Sequence, residues 1–136
     1  MMTPVEIGAF LQRPLVGVVS TVRADGGPHA VPVWFRFDEE RVNIWTFPER
    51  RWVRNLAADP RCSFTVQQQG KPFAAVTLRG HAEFATDAAW AEEEIRRIAG
   101  RYIDKRKVEE YIADFPGVGT IVSIYAEKIV AWGKRY

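Results

Sequence analysis

Trp45-Thr46-Phe47-Pro48-Glu49-Arg50-Arg51-Trp52-Val53-Arg54-Asn55-Leu56 joins two kinds of local structure. Just upstream and into it, Val42, Ile44, Trp45, Thr46 and Phe47 make a run rich in the β-branched and aromatic residues that favour a pleated strand. Pro48 breaks that strand. Arg50, Arg51 and Arg54 follow, and Leu56-Ala57-Ala58 runs into an Asp59-Pro60 stop. The stretch predicts a strand, a tight turn and a short helix whose first turn is crowded with cations. Helix starts favour anions, because unpaired N–H groups point outward there. Arginines at that end are locally unfavourable unless something negative docks between them and the amides, and a phosphate satisfies both. A solvated basic corner needs no ligand, and the residues alone leave both readings open.

Upstream of this stretch, Thr3-Pro4-Val5-Glu6 is a helix start, with Thr3 as cap, Pro4 at the first helical position and Glu6 three residues after the cap. Ile7, Phe10 and Leu11 give that helix one apolar face before Pro14. Leu15 to Val22 is a β-branched strand containing Gly17, and Arg23-Ala24-Asp25-Gly26-Gly27 is hairpin chemistry. His29 to Phe37 predicts one second strand. Its Val31, Val33, Phe35 and Phe37 face the core, while Ala30, Pro32, Trp34 and Arg36 face elsewhere, and Pro32 points to an edge or a bulge. Asp38-Glu39-Glu40-Arg41 turns the chain into the third strand, Val42 to Phe47.

Downstream, Arg61 to Gln68 predicts a fourth strand and Gln69-Gly70-Lys71-Pro72 a turn. Phe73 to Phe84 is a long fifth strand, with a bend at Gly80. Asp87 caps a helix carrying Ala88, Trp90, Ile95, Ile98 and Tyr102, acidic toward its start and basic toward its end. A second helix, about Lys105 to Phe115, sets Val108, Tyr111, Ile112 and Phe115 on one stripe until Pro116-Gly117. Val118 to Trp132 is the last strand, with a break at Ala126-Glu127-Lys128. Strands joined by short turns are antiparallel neighbours, and five or six closing on themselves form a small barrel.

The 136 residues fit one domain, and 47% apolar with 26% charged residues is the composition of a globular chain. A net charge of +2 is small for a protein that grips nucleic acid, so that class is not expected. Cys62 alone cannot form an internal disulfide, and with His29 and His81 it makes no metal-ligand pattern. Met1-Met2-Thr3-Pro4 lacks the basic-then-apolar pattern of a signal peptide, and no run of about 18 apolar residues is present. No membrane partner is expected, and a reduced, cytoplasmic setting is.

Taken singly, the reactive side chains identify no catalytic residue. His29 is expected on the outward face of its strand, where it is at most a group near a bound ring. Cys62 on a strand reads as a small buried side chain. Ser20 and Ser123 lie in apolar strands without a G-x-S-x-G turn, and neither a G-x-G-x-x-G nor a P-loop occurs. Trp34, Trp45, Trp52 and Trp132 can flank a planar ligand or fill a core. A barrel-like strand set, outward aromatic positions and an arginine cluster opening a helix together suit a flat ring with an anionic tail. That is what a flavin-type nucleotide presents, and such a cofactor carries the hydride chemistry itself.

These residues also carry a resemblance. Thr21-Val22-Arg23-Ala24-Asp25-Gly26-Gly27-Pro28-His29-Ala30-Val31-Pro32-Val33-Trp34 resembles the "T-x-R-x-D-G-x-P-x-x-x-P-V-W" hairpin of the pyridoxamine 5′-phosphate oxidase-like family. Arg51 to Arg61 is similar to its "R-K-x-R-N-L-x-x-D-P-R" segment, Gly80-His81-Ala82-Glu83 to its "G-x-A-E" strand end, and Glu127 to Trp132 to its "P-E-K-V-x-x-W" close. The resemblance implies a six-stranded antiparallel split β-barrel with flanking helices. It also implies a homodimer binding FMN or the deazaflavin coenzyme F-420 at the subunit interface, and hydride transfer to a small organic acceptor. By position, it implies phosphate binding at Arg51, supported by Arg54 and Asn55, and a strand-end hydroxyl at Thr46. The backbone of Val31, Pro32, Val33 and Trp34 lines the ring, and Trp132 covers it from the partner chain. Trp52 stands where the family commonly has a phosphate-contacting lysine, so Arg50 or Arg54 has to compensate. The pyridoxine-specific "W-x-x-x-x-x-R-x-H" ending is missing, because Gly133-Lys134-Arg135-Tyr136 follows Trp132; pyridoxamine phosphate oxidation is not expected. The alternative on the same scaffold is a non-catalytic binder of a flavin, a haem or another flat anionic ligand.

Overall fold

The computed structural model describes residues 2–38 and 40–133, so Met1, Glu39 of the turn expected from sequence, and the Lys134-Arg135-Tyr136 ending lie outside the described residues. In chain order the elements are α1 (Pro4–Leu11), β1 (Gly17–Val22), β2 (Pro28–Val33), β3 (Arg36–Phe37), β4 (Arg41–Thr46), α2 (Arg51–Ala58), β5 (Arg61–Gln67), β6 (Ala74–Phe84), α3 (Ala88–Tyr102), α4 (Val108–Ala113) and β7 (Thr120–Gly133). Local chemistry sets several boundaries. The Thr3 hydroxyl accepts the Glu6 amide at 3.2 Å and the Glu6 carboxylate accepts the Thr3 amide at 3.0 Å, a complete capping box for α1. Gly26, at φ +86°, turns the β1–β2 hairpin, and Asp87 caps α3 by accepting the Trp90 amide at 3.1 Å.

The strands form one antiparallel sheet in the order β2-β1-β5-β6-β7-β4-β3. Its two edges, β2 and β3, are separated in the chain only by Trp34 and Phe35. Three Cα–Cα steps span at most about 11 Å, so a sheet of this width must curl until its edges nearly meet. The result is a barrel split along one seam, with four flanking helices.

Seven strands replace the six expected, because the single strand foreseen over 29–37 divides at the seam. Its first part pairs with β1, and its last two residues cross to β4, with Arg36 opposite Asn43 and Phe37 opposite Val42. Pro32 does lie on an edge strand, where its missing N–H costs no ladder bond. The break foreseen at Ala126-Glu127-Lys128 is a bulge instead: pairing jumps from Arg79–Lys128 to Gly80–Ala126, and Glu127 is the extra residue. The helix foreseen over 105–115 is a 3₁₀ turn, Lys105–Lys107, followed by the shorter α4.

Val19, Phe35, Val42, Ile44, Phe64, Val66, Val76, Leu78, Val122 and Ile124 fill the barrel and are wholly buried. Each such side chain contributes roughly 1.5–3 kcal/mol on leaving water. Phe10 and Leu11 of α1 and Trp52, Val53 and Leu56 of α2 join this cluster, while Ile95 and Ile98 seat α3 on Ile121 outside it. No helix among the described residues is long and apolar enough to cross a membrane. Gly80 is the tightest point of the wall, since a Cβ there would lie 1.8 Å from the Tyr125 carbonyl oxygen. Gly80→Ala is therefore expected to cost about 3 kcal/mol, read as a lowered urea midpoint, by forcing the bulge apart.

Candidate functional site

At the seam, Phe35 sits between two strands and its backbone groups are satisfied by α3. Its amide donates to the Tyr102 hydroxyl at 3.2 Å, and its carbonyl accepts from the Arg101 guanidinium. The Tyr102 hydroxyl also lies 2.8 Å from the Leu15 carbonyl, to which it donates, and burial pushes its pKa upward, so it stays a proton donor. Arg101 reaches further, to the carbonyls of Leu11 (3.3 Å) and Arg13 (2.6 Å) at the end of α1. One residue on, Arg36 makes a bidentate pair with the fully buried Glu94, both contacts at 2.8 Å. Glu94 also accepts from the Asn43 amide at 2.7 Å, and the Ser123 hydroxyl donates to Asn43 Oδ1 at 2.7 Å. With the two residues after it held, Trp34 stacks on the Tyr102 ring at 4.7 Å and an 8° interplanar angle.

Beside the seam opens a cleft of about 430 Å³. One wall is Val16 with Val31, Pro32, Val33 and Trp34. The other is Trp45, Thr46 and Phe47 at the end of β4, continued by Arg50 and Trp52; Tyr111 and Phe115, after β6, close it above. Among the described residues no acidic side chain lines it. Thr46 is buried, and the Arg50 guanidinium lies 5.8 Å from the Phe47 ring centre. Helix α2 has no acid in its first turn and no side chain capping its N-terminus, so its entrance is cationic. Arg51 and Arg54 are exposed beside that entrance and have no ion-pair partner among the described residues.

Of the residues singled out from sequence, Val31, Pro32, Val33, Trp34, Thr46, Arg50 and Trp52 come together on this cleft. Trp52 does so from the core: it is only 5% exposed, and its bulk anchors α2 rather than extending to the entrance. Arg51 and Arg54 do not line the cavity. Asn55 is buried and donates to the Thr21 hydroxyl at 3.1 Å, which fixes α2 to β1. Trp132 is exposed near the far end of β7, opposite Ala75 and away from the cleft. Val16, Phe47, Tyr111 and Phe115 are the lining residues that sequence reasoning missed as a site. The i, i+4 spacing of Tyr111 and Phe115 marked a stripe, and a stripe reads as core.

The remaining reactive groups stand apart. His29 lies on the side of Val31 and Val33 rather than outward, half-buried, with Nδ1 2.9 Å from the Arg23 guanidinium. His81 lies between Glu127 (3.0 Å) and Glu83 (3.4 Å), stacked on Tyr125. Burial, with the nearby Glu127 charge, pushes the Cys62 thiol up to about 12, which removes it as a nucleophile at neutral pH. Among the described residues no group of His, Cys, Asp and Glu is placed to hold a metal.

The sequence pattern of the family described as pyridoxamine 5′-phosphate oxidase matches residues 3–124. Solved structures share the fold. A conserved hypothetical protein from Mycobacterium tuberculosis superposes with a TM-score of 0.82 at 23% identity, over 98% of this chain and 86% of that one. An F420 reductase does so at 0.71 and 24% identity, over 90% and 94%. An FAD-binding protein from Mesorhizobium loti gives 0.72 at 16% identity, over 96% and 92%. No curated protein matches the sequence significantly.

Removing the seam hydroxyl with Tyr102→Phe keeps the Trp34 stack but orphans the Phe35 amide. It is expected to lower unfolding free energy by about 1–3 kcal/mol in a urea titration. Cys62 supplies a pH test. A thiol whose folded pKa lies above its usual 9.0 favours the fold below that pH, and the benefit is lost as pH climbs toward 12. Iodoacetamide labelling at pH 8 is therefore expected to track global unfolding, and rapid labelling of the native protein would contradict the burial of Cys62.

Proposed function

The chain belongs to the pyridoxamine 5′-phosphate oxidase-like family of split barrels, and on that footing we propose that it is an oxidoreductase holding a flavin-type nucleotide, coenzyme F-420 or FMN. The observation that carries this reading is the cleft itself, which joins an apolar and aromatic chamber to an uncapped, cationic helix entrance, with no acid on its lining among the described residues. A planar ring fits the chamber, within the usual size of ligand sites, and an anionic tail fits the entrance. Val31, Pro32, Val33 and Trp34 would lie along the ring, and Thr46 would offer its hydroxyl. Arg50 stands on the lining and would take the charge that Trp52, committed to the core, cannot supply. Arg51 and Arg54 would receive the more exposed part of the tail. The bound group supplies the hydride chemistry, passed to a small organic acceptor. The leaning toward the deazaflavin rests on the single-domain size and the short "R-N-L-x-x-D-P" helix.

A homodimer with the cofactor at its interface is part of the same proposal. Pro32, Val18, Thr65, Thr77 and Val130 oppose one another in register across β2, β1, β5, β6 and β7, forming an uncharged row on the outer barrel face. Val130 and Trp132 are 55% and 53% exposed, and a second copy laid on this face would cover them and bring Trp132 to the partner's site. A second reading, a non-catalytic carrier of a flavin, haem or similar flat anion, is favoured by one feature: Trp52, where the family commonly has a phosphate-contacting lysine, is committed to the core.

Titrating purified protein with FMN and with F-420, each followed by fluorescence quenching, tests the proposal. Binding of one of them is expected, weakened about tenfold by Arg50→Ala or Arg51→Ala and further by adding Arg54→Ala, since each charge-assisted contact contributes about 1.5 kcal/mol or more. Unchanged affinity in the triple variant would overturn the assignment of the entrance. Binding without reduction of any dye acceptor would leave the carrier. Sedimentation is expected to show a dimer at tens of micromolar, and a monomer there would remove the interfacial site.

A further inference from the structure

Helix α4 and the turn after it touch the cleft through two rings. Tyr111 lies 5.7 Å from Trp34 and 6.1 Å from Trp45, stacked on the first and edge-on to the second. Phe115 stacks on Phe47 at 5.5 Å and meets Trp45 edge-on at 5.0 Å, and the two roof rings meet each other at 5.2 Å. Val108 is the one buried residue of α4; Ile112 packs on the α3 cluster, Glu109 pairs with Arg96 at 2.6 Å, and the two half-buried rings fasten the helix on the cleft side. The return to β7 is fixed as closely. Gly119, at φ +77°, passes under Trp45, where a Cβ would lie 2.5 Å from Nε1 and 2.7 Å from the Thr46 carbonyl oxygen. The upper cleft is thus a box of five rings, held from below by the Trp34–Tyr102 stack and behind by Gly119.

We propose that Tyr111 and Phe115 are the specificity-determining residues of the cleft, and that the acceptor they select is flat, conjugated and uncharged or anionic. Flat rings gain from offset and edge-on contacts on several sides at once, which a saturated molecule of equal volume does not. Aromatic boxes also attract organic cations, but here Arg50 already faces Phe47 and no carboxylate among the described residues lines the cavity, so a cation meets net repulsion. That the ligand is the hydride acceptor rests on the flavin-type reading above; its shape and charge preference rests on the rings alone.

The full-length protein can be titrated by calorimetry with naphthalene-2-carboxylate, its saturated decalin analogue and N-methylquinolinium. The flat anion is expected to bind at least tenfold tighter than either comparison compound. Tyr111→Ala and Phe115→Leu should each weaken it by about two- to tenfold, with Tyr111→Phe restoring parental affinity. Equal binding of flat and saturated anions, preferred binding of the cation, or unchanged affinity in both variants would overturn the proposal. A variant that fails to melt cooperatively is replaced in this comparison by the other. Loss of FMN and F-420 binding with the naphthoate preference intact would instead remove the cofactor reading and leave the box standing.

Discussion

The structure turns on a crossing of two residues. Trp34 and Phe35 leave one edge of a seven-stranded sheet and arrive at the other, so the sheet has no freedom to lie open. A backbone that changes edges loses its ladder partners for the length of the crossing. Buried amides and carbonyls without partners are costly, and α3 meets that cost with Tyr102 and Arg101. The same crossing leaves Trp34 facing outward beside the split. A cleft flanked by β2, the end of β4 and the start of α2 is the geometric residue of incomplete closure.

The buried charge next to the crossing serves this arrangement. Glu94 is wholly removed from water yet accepts from Arg36 and Asn43, and Ser123 holds Asn43 in turn. An ion pair of this kind adds little net stability over an apolar pair, but breaking it leaves a bare buried charge. It therefore fixes β3, β4, β7 and α3 to one another in one register. On the far side of the cleft, the Asn55–Thr21 bond and the packing of Trp52 hold α2 against the barrel. The arginines at its start are left free because the residues that secure the helix lie on its other face.

Most of the strand set was legible, since alternation and turn chemistry are local signals: Asp25-Gly26 for the first hairpin, Thr3 and Asp87 for two helix starts. The split between β2 and β3 was not. Inward and outward positions alternate straight through Trp34 and Phe35, so no periodicity marks the residue at which the hydrogen-bonding partner changes. Half the site was readable by two routes: Arg50 from the cluster of cations at one helix start, and Thr46 and the Val31–Trp34 strand from the resemblance to the family. Tyr111 and Phe115 come from a distant segment, and a stripe of rings looks the same whether it packs on a core or over a cavity. Trp52 was legible as a departure from the family pattern, whereas its burial depends on how α2 rolls against the barrel.

A split sheet has two rims, and exposed rims invite other chains to add strands. Here one rim is β3, two residues long, and the other carries Pro28 and Pro32, which have no amide hydrogen to offer. The rims also converge on the same short crossing, so an incoming strand finds one rim too short and the other interrupted by prolines. The fold can leave a gap wide enough for a small molecule while giving another polypeptide backbone little to pair with, a protection against fibrous self-association that rests on the two-residue β3 and the prolines of β2.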